Sequence, residues 1–166
     1  GDTVNLSIGQ GDLLVTPLQM AVLAAAVANR GKIFRPFLVR RIVSSDRRVI
    51  KTYSPRLSAQ ILLKEATWNI IREGMKKAVD EGTATMARIP GIEIAGKTGT
   101  AQNPHGEPHA WFICFAPYDD PEVALSVFVE HGGYGASAAA PLARQLLKAA
   151  LKEARAFRQR ENSDGI

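Results

Sequence analysis

Cysteine is almost missing from this sequence: Cys114 is the only one in 166 residues. That excludes a disulfide framework within the chain and any metal site built from several thiolates. Long hydrophobic runs are missing too. The longest, at 20–28, is short and rich in alanine, far from the ~18 residues of a membrane span. No basic stretch followed by an apolar one marks a signal peptide, and the chain opens on Gly1 rather than Met, as a mature product or a cut piece would. What is present is ordinary for a globular protein. Hydrophobic residues make up 46% and charged residues 22%, which excludes wholesale disorder. A chain of this length makes one domain with its own core, or a piece of a larger one, and buries about 70% of its unfolded surface.

Lysine and arginine number 21 against 16 acids, a net charge of +5. The excess is local. Residues 30–51 carry Arg30, Lys32, Arg35, Arg40, Arg41, Arg47, Arg48 and Lys51 against Asp46 alone, and 144–166 carries six bases against three acids. Such segments bind acidic polymers or form a solvated face. No aromatic interleaving or zinc-finger spacing accompanies them, so nucleic acid is not an expected partner.

Periodicity predicts an α+β fold, an antiparallel sheet with helices packed on it. A helix is expected over 17–29, where Thr16 and Gln19 form a capping box around Pro17, and Gly31 suits its end. The runs 37–43 and 48–53 flank Ser44-Ser45-Asp46 as a hairpin does. A second helix is expected over 65–80, with Trp68, Ile71, Met75 and Val79 on one stripe. After Gly91 the period falls to two. Residues 109–116 and 123–130 read as strands joined by the turn Tyr118-Asp119-Asp120-Pro121. Gly132, Gly133 and Gly135 read as a flexible link. A last helix is expected over 140–158, with Leu142, Leu146, Leu147 and Leu151 together and a disordered tail over 159–166.

Gly91 to Thr98 spells G-x-x-x-x-G-K-T, the phosphate-loop pattern. That loop needs a buried strand before it and a helix starting at Lys-Thr. Here Pro90 precedes it, and Gly99, Pro104, Gly106 and Pro108 follow, so a nucleotide site is the weaker reading. The stronger one puts Lys97-Thr98-Gly99-Thr100 on a strand, where a cation and two hydroxyls meet a carboxylate and an amide meets an oxyanion. K-T-G also accompanies S-x-x-K in serine acyl-transfer enzymes. His105 and His109 lie four apart but have no helix to share, and His131 borders the glycines. No metal site is expected of them, and Cys114 reads as a buried thiol.

The run Ala95-Gly96-Lys97-Thr98-Gly99-Thr100-Ala101-Gln102 resembles the K-T-G strand of class B penicillin-binding proteins. His109 to Pro117 resembles the strand that follows it there. Ile8-Gly9-Gln10-Gly11-Asp12, Thr16-Pro17-Leu18-Gln19-Met20-Ala21 and Ala28-Asn29-Arg30-Gly31 are similar to that family's upstream helix region. Within that family the chain resembles the group of penicillin-binding protein 2, the class B transpeptidase of cell elongation.

The resemblance implies the C-terminal part of a transpeptidase domain over 1–158, acting in peptidoglycan synthesis by serine acyl transfer. It implies that Lys97, Thr98 and Thr100 hold a stem peptide's terminal carboxylate. The Thr100 amide would be half of an oxyanion hole, and Gly99 would stay small beneath the substrate. It implies stem peptides and β-lactams as ligands and no cofactor. The parent would be a membrane-anchored protein on the extracytoplasmic, periplasmic face that works with a cell-wall glycosyltransferase. None of the chain's serines has Lys three residues later, and S-x-N is also missing, so this chain alone is expected to be inactive. The rival from another class is a non-catalytic basic module that binds an acidic partner.

Overall fold

The computed structural model describes residues 2–11 and 13–163. Helix α1 (Asp2–Ser7) leads to α2 (Pro17–Ala28). The α2 cap is the expected one. The Gln19 amide donates to Thr16 Oγ1 at 3.2 Å, and the Thr16 amide donates to Gln19 Oε1 at 2.7 Å. At the other end Arg30, not Gly31, takes the first left-handed position. The Gly31 amide then reaches back to the Ala26 carbonyl at 2.7 Å, closing the helix in a Schellman arrangement. Gly31 is required on two counts. Its φ is +94°, and a Cβ there would lie 2.3 Å from the Ile61 carbonyl oxygen and 2.8 Å from the Trp68 ring.

Two small antiparallel pairs follow. Strand β1 (Lys32–Phe34) pairs with β4 (Leu57–Gln60), and β2 (Arg41–Val43) pairs with β3 (Val49–Thr52). The second pair is the expected hairpin, shortened; the first was not legible, because its partners are 23 or more residues apart and carry no alternating pattern. Several cations of the basic segment have partners: Arg30 pairs with Glu65, Arg48 with Asp46, Lys51 lies over the Tyr53 ring and Arg40 over that of Phe157.

Helix α3 (Glu65–Asp80) has the expected limits. Its buried stripe is Trp68, Arg72, Met75 and Val79, so Arg72 stands where Ile71 was expected. Hydrophobic periodicity passes over an arginine, yet the two terminal nitrogens of this one find acceptors inside, while its Nε is buried without one. Arg72 donates to the carbonyls of Ala28 at 2.7 Å, Val27 at 3.4 Å and Tyr118, and its guanidinium lies over the rings of Phe115 and Tyr118 at 4.7 and 5.0 Å. Burial, and then the charge of Arg30, hold its pKa below the usual arginine value.

The main sheet is an antiparallel meander of β5 (Ala95–Ala101), β6 (His109–Ala116) and β7 (Val123–Val129), in that order. Alternation along β6 builds two cores. Ala110, Phe112, Cys114 and Ala116 join Val127 under α4 (Ala140–Ser163), whose Ala140, Ala143, Leu147 and Leu151 face them. Phe115, with Ala95, faces Val27 and Ala28 of α2 and Trp68 and Met75 of α3. Helices therefore cover both faces, and the last helix covers one, as expected. Each fully buried Phe or Leu side chain contributes roughly 1.5–3 kcal/mol.

Three expectations need correction. Leu142 and Leu146 are exposed, because the line that meets the sheet is Ala140, Ala143, Leu147 and Leu151. Helix α4 runs five residues past Arg158 to Ser163, through Arg158-Gln159-Arg160, all good helix formers; residues 164–166 of the expected tail lie outside the described residues, as does Asp12. Gly135 is not a loose link. It opens a π-helical turn, Gly135–Ala139, so close to the sheet that a Cβ would lie 2.3 Å from the Trp111 carbonyl oxygen.

Candidate active site

Lys97, Thr98, Gly99 and Thr100 occupy the middle of β5, which pairs with β6 and, among the described residues, with no strand on its other side. The second half of the G-x-x-x-x-G-K-T string, Ala95 to Thr98, therefore lies on a strand, and the helix that a phosphate site needs does not start at its Lys-Thr.

Which groups face the free edge follows from strand geometry. A residue sends its N–H and C=O to the same edge, and successive residues alternate. The Thr100 carbonyl accepts from Gln10 Nε2 at 2.9 Å, and the Gln102 amide donates to Gln10 Oε1 at 3.3 Å. Both bonds lead away from β6, so the Thr100 N–H opens onto the free edge. Thr98 has the same parity, and its carbonyl accepts from Lys97 Nζ at 2.6 Å. The lysine stem therefore curls round to that edge.

Side chains sort by register. Thr98 stands opposite Phe112 and Thr100 opposite Ala110, so both hydroxyls rise on the α4 face. Lys97 stands opposite Ile113 and Gly99 opposite Trp111, on the other face. A Cβ on Gly99 would lie 3.2 Å from the Trp111 Cβ, tighter than ordinary contact. A Cβ on Gly96 would strike the Phe112 ring at 2.4 Å. Both glycines let side chains of β6 close over β5.

Three further residues meet this strand, and the sequence assigned none of them a role at it. Thr83, just past α3, has its hydroxyl 2.8 Å from the Thr98 hydroxyl. Gln10 bridges Thr100 and Gln102; it sits inside the Gly9-Gln10-Gly11 segment, the one hint the sequence offered. Gly135 lets its turn approach the Gly99 backbone, its Cβ position 2.5 Å from the Gly99 carbonyl oxygen.

The histidines gather beyond the end of β5. The His131 amide donates to His109 Nδ1 at 3.0 Å, and the two rings lie 4.9 Å apart. His131 Nδ1 is 3.1 Å from Asn103 Nδ2, which ties down the 102–108 loop, and the His105 amide donates to Asn103 Oδ1 at 3.0 Å. Among the described residues no group of three or more His, Cys, Asp or Glu could hold a metal ion. Cys114 is fully buried, and burial pushes its thiol pKa well up. A cleft of about 590 Å³ between Arg40, Glu122, Phe157 and Arg158 lies at the opposite end of β6 and β7. The candidate site is an open strand edge instead.

Residues 1–148 match the family described as the penicillin binding protein transpeptidase domain. The chain is 39% identical over 158 residues to the peptidoglycan D,D-transpeptidase PbpA of Mycolicibacterium smegmatis, covering 89% of this chain and 31% of that protein. It is 35% identical over 167 residues to MrdA of Haemophilus influenzae, also a peptidoglycan D,D-transpeptidase, covering 89% of this chain and 25% of that protein. Penicillin-binding protein A from M. tuberculosis, solved as a ceftriaxone acyl-enzyme complex, matches with a TM-score of 0.81 at 37% identity, over 89% of this chain and 35% of that one. Pseudomonas aeruginosa PBP2 matches with a TM-score of 0.75 at 37% identity, over 90% of this chain and 32% of that one. The chain spans about a third or less of the length of the curated relatives it matches.

Proposed function

The chain belongs to the penicillin-binding protein transpeptidase family, and from that premise we propose that it supplies the substrate-carboxylate contacts and half of the oxyanion hole of a peptidoglycan D,D-transpeptidase. The observation that carries this is the free edge of β5. There the Thr100 amide opens outward, Lys97 Nζ lies against the Thr98 carbonyl, and the hydroxyls of Thr98 and Thr100 stand on one face.

A stem peptide laid along that edge finds donors in the order its chemistry needs. Lys97 and the two hydroxyls hold its terminal carboxylate, by charge and by hydrogen bonds to charge. The Thr100 N–H points at the carbonyl oxygen that becomes negative when a serine attacks. Acyl transfer then runs in two steps. The serine oxygen forms an ester with the stem-peptide carbonyl while the terminal residue leaves with a proton. An amine of a second stem peptide then takes the acyl group and frees the serine. A β-lactam carboxylate and carbonyl occupy the same two sets of donors. The serine and its lysine are not in this sequence, since no Ser here precedes a Lys by three residues. The working enzyme therefore needs the remainder of the parent protein, which acts on the extracytoplasmic face of the membrane beside a cell-wall glycosyltransferase. Among the described residues no helix is long and apolar enough to cross a membrane.

Labelled penicillin tests this. The full-length parent is expected to give a covalent band on a denaturing gel, blocked by excess unlabelled drug, and the 166-residue chain alone is expected to give none. An unlabelled parent would remove the proposed activity. A labelled fragment would reveal a nucleophile that this reading does not contain.

A further inference from the structure

We propose that Thr83 is a positioning residue for substrate-carboxylate recognition, acting through the hydroxyl of Thr98. The inference rests on the reading of Thr98 as a carboxylate contact.

The two hydroxyl oxygens lie 2.8 Å apart, a full-strength O–H···O hydrogen bond. A threonine hydroxyl has one hydrogen to give and two lone pairs to accept with. If nothing donates to Thr98, its hydroxyl rotates freely and can spend its hydrogen on a neighbouring carbonyl. Either hydroxyl can donate across this contact; when Thr83 is the donor, one Thr98 lone pair is taken and the Thr98 hydrogen is free to turn toward an anion. Donation into that oxygen also polarises the outgoing O–H, so the second bond strengthens.

The position of Thr83 is not left to a wandering loop. The amides of Glu81 and Gly82 both donate to the Lys77 carbonyl, at 2.9 and 3.1 Å, and the Ala84 amide donates to the Ala78 carbonyl at 2.8 Å. Ala84 is fully buried in the core under α4. The residues on both sides of Thr83 are thus pinned to the end of α3. Gly82 permits the tight turn: a Cβ there would lie 2.9 Å from the Ala78 Cα. Thr83 itself is exposed and touches no core cluster, so packing does not explain a β-branched hydroxyl residue here. Among the described residues, what its hydroxyl meets is the hydroxyl of Thr98.

The test uses the full-length parent and two probes: a penicillin with its free carboxylate, and the methyl ester of the same penicillin. The readout is the acylation rate constant, which does not depend on how much of a variant folds. Thr83→Val keeps the shape and removes the hydroxyl. It is expected to slow acylation by the free acid about three- to tenfold, the worth of one neutral hydrogen bond, and to leave the ester rate near that of the unaltered protein. Thr83→Ser returns the hydroxyl and is expected to recover most of the loss; Thr83→Ala should behave as Thr83→Val. Equal slowing of acid and ester, no slowing of either, or no recovery by Thr83→Ser would each overturn the role of Thr83. Thr98→Val is the control for the reading beneath it. If Thr98→Val slows the acid while Thr83→Val does not, only the present inference fails. If Thr98→Val is also silent, the carboxylate reading of Thr98 fails first.

Discussion

The side-chain amide of Gln10 meets the backbone of Thr100 across 90 positions of sequence, donating to its carbonyl at 2.9 Å. With the Gln102 amide donating to Gln10 Oε1 at 3.3 Å, the glutamine pairs with the strand edge as a peptide of a neighbouring strand would. The Thr100 carbonyl and its N–H belong to one residue on that edge, so holding one aims the other. We expect Gln10→Ala in the full-length protein to slow β-lactam acylation about two- to tenfold, one hydrogen bond's net worth. Gln10→Glu keeps the acceptor but loses the donor to Thr100 and should be no better. Stopped-flow acylation rates equal to those of the unaltered protein would show that β5 keeps its edge without this bridge.

Thr100→Val separates the residue's two roles. The hydroxyl goes and the backbone amide stays, so the oxyanion donor survives while carboxylate binding weakens. A hydrogen bond to a charged group is worth roughly 1.5–3 kcal/mol, about ten- to a hundredfold in acylation efficiency. Gly99→Leu should do more damage, since even a Cβ at Gly99 would press on the Trp111 Cβ at 3.2 Å. If Thr100→Val leaves both acylation and transpeptidation unchanged, the hydroxyl has no part in binding.

Arg72 ties three elements together through the carbonyls of Val27, Ala28 and Tyr118. Arg72→Met fills the space but takes this donor from the Ala28 and Tyr118 carbonyls, while the Val27 carbonyl keeps the Arg30 amide, at a cost of about 1–3 kcal/mol. Arg72→Lys should recover little, because a single ammonium cannot serve three carbonyls and also stack on two rings. The melting temperature of the full-length protein reads this directly. It should fall by several degrees in both variants, and an unchanged value for Arg72→Met would mean the guanidinium is dispensable.

Cys114 is fully buried, and burial raises its thiol pKa, so the thiolate that alkylating reagents need does not form in the folded chain at ordinary pH. We expect no labelling by iodoacetamide at pH 8 in native protein and rapid labelling in denaturant, read by mass spectrometry of the peptide. The sign for stability follows. The folded-state value lies above the unfolded one, so this group's contribution is complete below the unfolded value of 9.0 and is lost progressively as pH rises beyond it. Native labelling at pH 8 would mean that β6 opens on its own.

The sequence by itself determined those features whose causes lie within a few residues. The Thr16–Gln19 box started α2, the 3.6-residue period set the limits of α3, and the two-residue period laid out β6 and β7. The string from Ala95 to Gln102 was enough to select a strand over a phosphate loop, because Gly99 and Pro104 forbid a helix there. Only the tertiary structure decided what meets that strand. Thr83 and Gln10 reach it from 15 and 92 positions away, by side-chain hydrogen bonds to Thr98 and Gln102 that leave no periodic trace in the chain. Arg72 took a core place that hydrophobicity assigned to Ile71, because three carbonyls and two aromatic rings converge there only after α2, α3 and β6 have packed. Gly135 read as slack between elements, yet the sheet's close approach made it a contact that no side chain could replace. Local propensity and period are written along the chain; which polar groups satisfy one another across it depends on the packing that brings them within 3 Å.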